Sequence, residues 1–414
     1  MRILHVLAQL PYGTGSGIYF TNIIKELAQC GHEQCAVFAL QDGGLFEQLP
    51  AERQYPVFFK TEKLPFPVPG MSDVMPYDSI KYSDMTAEML ALWMEAFRKA
   101  LARAADFEPD VLILHHLWML TSLAVTMFPK KRCIGICHYT DLRQARQNPQ
   151  LLERHVTEID RLDTILTLCD THHGEIRRLY HCDKTSLLTM GGGYDGTLFY
   201  PAENKRKEGP VRILYAGKID PSKGIFVLIQ AFLALQKQDD GLRLSIVGAP
   251  TQRYAAQIGD LLAGNASIRQ FPPMPQKHLA DAMREHDIFV LPSFYEGLGL
   301  IAVEALACGL WTVSTEIEGL VSLLGKSAVC SGAIELVPLA KPEDLATPDS
   351  LQVQAFIESL AAKIALQIGR VRGGKGFPAS AVTDIVEYSW KEIVKRLHAV
   401  LIDESMEYKK SSHA

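Results

Sequence analysis

Lysine, glutamate and glycine recur together at two places in the second half of the chain. The first, YAGKIDPSKG at residues 215–224, puts Lys218 at the end of a strand-like run and Lys223, five residues on, at the start of a helix-like one. Two ammonium groups on such a loop can face one anion, and the dipole of the following helix adds to the attraction. A solvated loop with incidental lysines is the plainer alternative. Ligands of open α/β sheets bind at the carboxyl ends of strands, where both charges fall, and this favours the anion site. The second place, PSFYEGLGLIAVEALACG at 292–309, follows the run DIFVL and puts Glu296 in a loop and Glu304 about one turn into a helix. A carboxylate accepts hydrogen bonds from two sugar hydroxyls at once, so the pair suits a hydroxyl-rich ligand. Gly297 and Gly299 permit close backbone approach, and the amides near Leu300 and Ile301 would face a phosphate.

The first half offers weaker chemistry. GTGSG at 13–17 precedes a helix, so Gly15 and Gly17 are candidates for a phosphate cradle. The dinucleotide fingerprint would need a third glycine where Ile18 stands, and a plain flexible loop explains the run equally well. His115-His116 and His138-Tyr139-Thr140-Asp141 close two strand-like runs. A lone histidine is more often structural. His138 is nonetheless a candidate for a site at a strand end, with Asp141 and Arg143 ordering its loop. His172-His173 reads as a surface helix pair. No Cys, His and Asp set has the usual local spacing of a zinc site, and no Asp-x-Asp pair implies a metal. Gly319 to Ser327 resembles a Walker loop with one residue too many, and is rejected.

These residues need elements to hold them. RILHVLA, a helix from about Ile18 to Gln29 and CAVFAL at 35–40 form a βαβ unit. Four prolines between Leu64 and Tyr77 suggest an irregular excursion outside the core. A helix at about 86–105 leads to VLILH, and further strands are expected at 133–137, 164–168 and 186–190. Gly191 to Pro210, with Gly191-Gly192-Gly193 and the charge run ENKRKEG, has linker chemistry. The alternation then restarts at VRILYAG. The fold class is therefore α/β, with two doubly wound, Rossmann-like parallel-sheet lobes facing across a cleft. We expect an N-terminal domain at 1–195, a C-terminal domain at 211–380, and a C-terminal helix at 381–402 that crosses back to the N-terminal domain.

Composition agrees with two folded cores. The chain has 414 residues, 48% of them apolar and 21% charged. A net charge of −5 disfavours a nucleic-acid partner. Eight cysteines without a Cys-x-x-Cys pair, most inside apolar runs, read as reduced thiols. Val111 to Phe128 lacks Asp, Glu, Lys and Arg over 18 residues, near the lower limit for a membrane span. It splits more naturally into a buried strand and a helix. The N-terminus lacks the apolar length of a signal peptide, so the expected location is cytoplasmic.

On YAGKIDPSKG, the Glu296–Glu304 spacing, GTGSG, His138 and Gly193-Tyr194-Asp195, the chain resembles family 4 of the retaining glycosyltransferases, with the B-type two-lobed fold. The resemblance covers most of residues 1–315 and departs from the pattern over 316–380. It implies that Lys218 and Lys223 hold the diphosphate of a nucleotide sugar, although arginine is more usual at the first position. It further implies that Glu304 binds the ribose, and that Glu296 with the amides around Gly299, Leu300 and Ile301 binds the donor sugar. His138 would contact the sugar beside the reacting carbon, and Gly15 and Gly17 would lie near the phosphates or the acceptor. Catalytic roles are thereby expected for His138, Glu296 and Lys223. The expected activity is metal-independent transfer with retention, as part of carbohydrate biosynthesis, from a nucleotide-diphosphate sugar (UDP before GDP) to a hydroxyl acceptor. No cofactor is expected beyond that co-substrate. The acceptor is left open between a lipid-linked, a polysaccharide and a small-molecule alcohol. Lys130-Lys131-Arg132 and Arg177-Arg178 suggest peripheral contact with the inner face of a membrane. The alternatives are a nucleotide-sugar epimerase of the same fold and a non-catalytic sugar-binding protein.

Overall fold

The computed structural model describes residues 1–73, 75–203, 208–250, 252–294, 296–339 and 351–402. Tyr295, the middle of the charge run at 204–207 and residues 340–350 of the atypical segment lie outside the described residues. The chain folds into two compact units, Met1–Gly192 with residues 393–402, and Gly193–Glu392.

The first unit is built on strands β1 (Arg2–Leu7), β2 (Glu33–Leu40), β3 (Gln54–Phe58), β4 (Val68–Gly70), β5 (Ser79–Lys81), β6 (Val111–His115), β7 (Arg132–Cys137), β8 (Thr164–Thr167) and β9 (Ser186–Thr189). Its helices are α1 (Gly15–Gln29), α2 (Ala87–Ala105), α3 (Met119–Met127), α4 (Thr140–Gln147), α5 (Pro149–His155) and α6 (His173–Tyr180). Among the described residues the main sheet has the order β3-β2-β1-β6-β7-β8-β9, and every pairing is parallel. β1 and β6 are buried along nearly their whole length, as strands covered on both faces must be. The strand order reverses between β1 and β6, so the loops after them open at a topological switch point.

Three expectations need correction here. The helix after GTGSG begins at Gly15, not at Ile18, because the Thr14 hydroxyl accepts a hydrogen bond from Gly17 N at 3.0 Å and caps it. The proline-rich excursion is partly core: Leu64, Phe66, Val68 and Met71 are buried, and β4 pairs with β5. Its prolines separate apolar residues that still reach the interior. Gln9 Nε2 donates to Pro69 O at 2.7 Å and Gln41 Nε2 to Asp78 O at 2.9 Å, so side-chain amides satisfy backbone that no longer sheet covers. The C-terminal helix is two helices, α13 (Ala379–Val386) and α14 (Trp390–Ile402) in the numbering of the whole chain. Between them the backbone turns aside to bond Tyr194: Tyr194 N donates to Tyr388 O and Trp390 N to Tyr194 O, each at 3.0 Å. Gly193 makes room, since a Cβ there would sit 2.4 Å from the Trp390 ring.

The second unit holds β10 (Val211–Ala216), β11 (Leu242–Val247), β12 (Ile268–Phe271), β13 (Ile288–Leu291), β14 (Trp311–Thr315) and β15 (Ile334–Val337). With them come α7 (Ile225–Gln236), α8 (Ala255–Leu262), α9 (Gln276–Glu285), α10 (Leu300–Ala307), α11 (Glu318–Cys330) and α12 (Leu351–Arg372). The described sheet order is β12-β11-β10-β13-β14-β15, again parallel throughout. Its switch point lies between β10 and β13. The segment that resists reading from sequence supplies α11, β15 and α12, and the near-Walker run falls inside α11. α12 buries Val353, Phe356, Ile357, Leu360 and Ile364, and Lys363 and Arg370 both pair with Glu335 at 2.8 Å.

No described helix is long and apolar enough to cross a membrane. Val111 to Phe128 is divided between β6 and α3.

Candidate functional site

In the second unit the two glycine-containing runs leave the adjacent strands β10 and β13, on either side of the switch point. They are laced together by backbone. Phe294 N donates to Ser222 O at 2.9 Å, and Gly224, at φ +69°, lies so close to Pro292 that a Cβ would be 1.9 Å from its carbonyl oxygen. Asp220 shapes the turn before it, accepting from Ser222 N at 2.7 Å. The outcome is a salt bridge of 2.8 Å from Lys223 Nζ to Glu296 Oε2, with side-chain exposures of 25% and 28%. Lys218 stands exposed on the same loop, its carbonyl accepting from the Tyr215 hydroxyl at 2.6 Å. Gly224→Ala should therefore lower stability by about 2–3 kcal/mol, through the left-handed backbone and the carbonyl clash together. An unchanged urea midpoint would refute this account of how the loops meet.

Gly299 has φ +63° and leads directly into α10. A helix start leaves its first amides without partners inside the helix, so Leu300 and Ile301 present N–H groups at the mouth of β13. Gly319, near the start of α11, backs this loop: a Cβ there would be 2.3 Å from Gly297 O. Glu304 lies in the second turn of α10 and is half-buried. Burial, with the Asp195 charge adding, pushes its carboxyl up to about 8. Asp195 Oδ1 accepts from Thr197 N at 2.9 Å and from the Thr197 hydroxyl at 2.6 Å. Its place beside Glu304 spans more than a hundred positions of chain and has no local signal in the sequence.

In the first unit His138 is buried at the end of β7. Its ring stacks on His115 with centroids 5.6 Å apart and planes 13° apart, and Tyr19 meets it edge-on at 5.2 Å. Its Nε2 lies 3.4 Å from His115 Nδ1. Burial, with His116 adding, pulls the His138 imidazole down to about 3, so the ring is neutral at physiological pH. Asp141, fully buried, orders this corner. Its Oδ1 accepts from Leu117 N at 2.7 Å and contacts His116 Nδ1 at 3.1 Å, while Oδ2 accepts from His138 N. Burial alone would raise the Asp141 carboxyl. The charge and hydrogen bond of His116 overcome that, with His138 assisting, and hold it below the usual carboxylate range. Arg143 does not share in this ordering; it pairs with Asp73. Tyr19 was not singled out by the sequence, because a tyrosine on an amphipathic helix reads as core.

Two further expectations change. His172 is no surface residue: it is buried and stacks on Tyr139 at 4.9 Å, while His173 Nε2 lies 2.9 Å from the Thr167 hydroxyl. Gly17 has a packing reason of its own, since a Cβ would come within 2.7 Å of Leu10 O and Tyr12 N; Gly15 faces open space. Among the described residues no three His, Cys, Asp or Glu side chains are grouped to hold a metal ion. A cavity of about 640 Å³ lined by Pro201, Phe377, Val382 and Val386, among others, shares no residue with the sites above.

Residues 198–346 match the family model described as Glycosyl transferases group 1. The chain is similar to a D-inositol 3-phosphate glycosyltransferase of Jonesia denitrificans, 26% identical over 300 residues, which cover 65% of this chain and 69% of that one. It is also similar to a glycogen synthase of Mycobacterium tuberculosis, 26% identical over 265 residues, covering 59% of this chain and 62% of the other. In fold it resembles the sucrose-phosphate synthase of Thermosynechococcus elongatus, with a TM-score of 0.71 at 17% identity, over 97% of this chain and 98% of that one. The family match over residues 198–346 and these relatives support a glycosyltransferase activity.

Proposed function

We propose that this enzyme transfers a sugar from a UDP-sugar to a hydroxyl acceptor with retention of configuration and without a metal ion. The observation that carries it is the Lys223–Glu296 pair at the β10–β13 switch point, beside the N-terminus of α10. Lys218 and Lys223 take the diphosphate, joined by the amides of Leu300 and Ile301. Glu304 takes the ribose hydroxyls, and Glu296 with Gly299 takes the transferred sugar. For His138 the role of contacting that sugar comes from the family resemblance, as does the placing of Gly15 and Gly17 near phosphates or acceptor.

In the reaction the bond from the anomeric carbon to the diphosphate oxygen breaks, and negative charge builds on that oxygen. Fixed cations and helix amides aimed at the growing charge lower the barrier. The acceptor oxygen bonds to the anomeric carbon on the face the diphosphate leaves. The acceptor hydroxyl proton passes to the departing diphosphate, so no protein nucleophile is required. A neutral His138 donates or accepts a hydrogen bond to a sugar hydroxyl without adding charge.

Glu304 gives this reading a pH signature. Ribose hydroxyls donate to a carboxylate, so nucleotide binding favours the ionised form and releases a proton wherever the free carboxyl is protonated. With that carboxyl raised to about 8, UDP affinity should climb as pH rises from 6 to 8 and level off above. Glu304→Gln should flatten the climb, and calorimetry in buffers of different ionisation enthalpy counts the proton directly.

A cytoplasmic location belongs to the same proposal, supported by eight cysteines that are all free thiols. Membrane contact has less to rest on. Arg132 donates to Val400 O and Leu401 O, Arg177 to Asp183 O, and Arg178 pairs with Glu175, which leaves Lys130 and Lys131. A thermal-shift panel of UDP-, GDP- and ADP-sugars, with and without EDTA, tests the donor reading. Stabilisation by one UDP-sugar that EDTA does not remove supports it. Stabilisation that needs a divalent cation, or none with any donor, overturns it. A nucleotide sugar epimerised without acceptor would mark the competing enzyme class.

A further inference from the structure

Tyr139 follows His138 at the end of β7 and adopts φ +61° and ψ −43°. Thr140 N donates to His138 O at 2.6 Å across it, which closes a three-residue γ-turn of the positive-φ kind. That turn is rare, and a residue with a Cβ holds it at a cost of about 1–3 kcal/mol. Glycine would hold the same backbone more cheaply. The tyrosine ring does not recover the cost by filling the core, since it is 36% exposed.

The ring is nevertheless braced. It stacks on His172 at 4.9 Å with the planes 28° apart, and its hydroxyl meets the Arg146 side chain. An exposed aromatic plate, fixed beside a buried neutral histidine, offers an apolar surface to a ligand at the strand end. The charges next to it are already matched. Arg146 forms a two-point pair with Glu175 at 2.5 and 2.6 Å, and Arg143 pairs with Asp73. α4 therefore begins with an aromatic ring and two neutralised arginines. Unlike the lysine loop, where Lys218 stands exposed beside the Lys223–Glu296 contact, this corner holds its nearest arginines in ion pairs, one of them two-pointed. An anion therefore gains less here than the C–H face of a sugar ring gains on the plate.

We infer that Tyr139 is the acceptor-stacking residue and that the acceptor group it holds is an uncharged sugar ring. This rests on the transferase reading above and names the substrate class of its acceptor side. The backbone strain at Tyr139 fixes the angle of the plate before the acceptor arrives, so less order is lost on binding.

The test uses the whole chain, the UDP-sugar that stabilises it most, and two kinds of acceptor: a set of methyl glycosides and D-inositol 3-phosphate. The wild type should transfer to a methyl glycoside in preference to D-inositol 3-phosphate. Tyr139→Gly should raise the acceptor KM about tenfold or more while UDP affinity stays the same, because a lost stacking contact acts on acceptor binding. Tyr139→Trp keeps a ring and should stay within about threefold of wild type. A glycine variant with unchanged acceptor KM overturns the inference. So does a tryptophan variant as weak as the glycine one, which would mark a packing role instead. Preference for D-inositol 3-phosphate, or no transfer to any methyl glycoside by a protein that binds UDP, overturns the uncharged acceptor. Absence of UDP binding to the wild type would instead remove the underlying transferase reading, and this inference with it.

Discussion

Lys223→Ala should lower the transfer rate at saturating donor by about 10²–10³-fold, the usual loss when one fixed donor to a developing negative charge is removed. The fold should barely respond. The Lys223–Glu296 pair is about a quarter exposed on each side, and a pair that wet contributes at most about 1 kcal/mol. The rate falls because the missing ammonium stabilises the leaving diphosphate more than the bound substrate, so kcat drops more than donor KM rises. Lys223→Arg, which keeps the charge but changes its shape, should recover part of the loss. Transfer at the wild-type rate by a folded Lys223→Ala protein would show that the diphosphate is held elsewhere. A large fall in melting temperature would show that the pair serves the fold.

Asp141→Ala should cost the first unit about 3–5 kcal/mol, the range for removing one partner of a buried charged network. The carboxylate ties two chain reversals together. His116, at φ +75°, and Tyr139, at φ +61°, follow β6 and β7, and Asp141 accepts from the amides of Leu117 and His138 beside them. Without it two buried N–H groups and the His116 ring lose their partner. Asp141→Asn keeps one acceptor and should lose less. The pH dependence carries a sign. The native carboxyl lies below its ordinary value of 3.8, so its stabilisation is complete above that value and is lost as pH falls through the lower native one. Wild type should therefore lose stability in acid more steeply than Asp141→Ala. Equal urea midpoints for the two proteins at pH 7 would contradict this.

The same residues show what sequence can convey. Lys223 and Glu296 stand on loops between a strand and a helix, and strand-loop-helix periodicity places such loops at one edge of a parallel sheet without coordinates. Their contact depends on Gly224 lying against Pro292, a closeness across about seventy residues that only the fold supplies. Asp141 was readable as an organiser of the His138 loop because it lies three residues away, while Arg143 was misread because its partner, Asp73, comes from a distant excursion. The excursion itself misled because prolines signal irregular backbone but say nothing of burial. α13 and α14 merged into one expected helix because apolar spacing continues through the break that Tyr194 imposes. His172 looked exposed for a related reason: its ring partner, Tyr139, lies on another strand end.

Calorimetry of UDP against UMP, on wild type and on Lys218→Ala/Lys223→Ala, addresses the second unit's grip on the nucleotide. With both ammonium groups present, UDP should bind at least about tenfold more tightly than UMP, and in the double variant most of that preference should be lost, leaving only what the α10 amides supply. An undiminished preference for UDP after both lysines are gone would mean that the terminal phosphate rests on other groups.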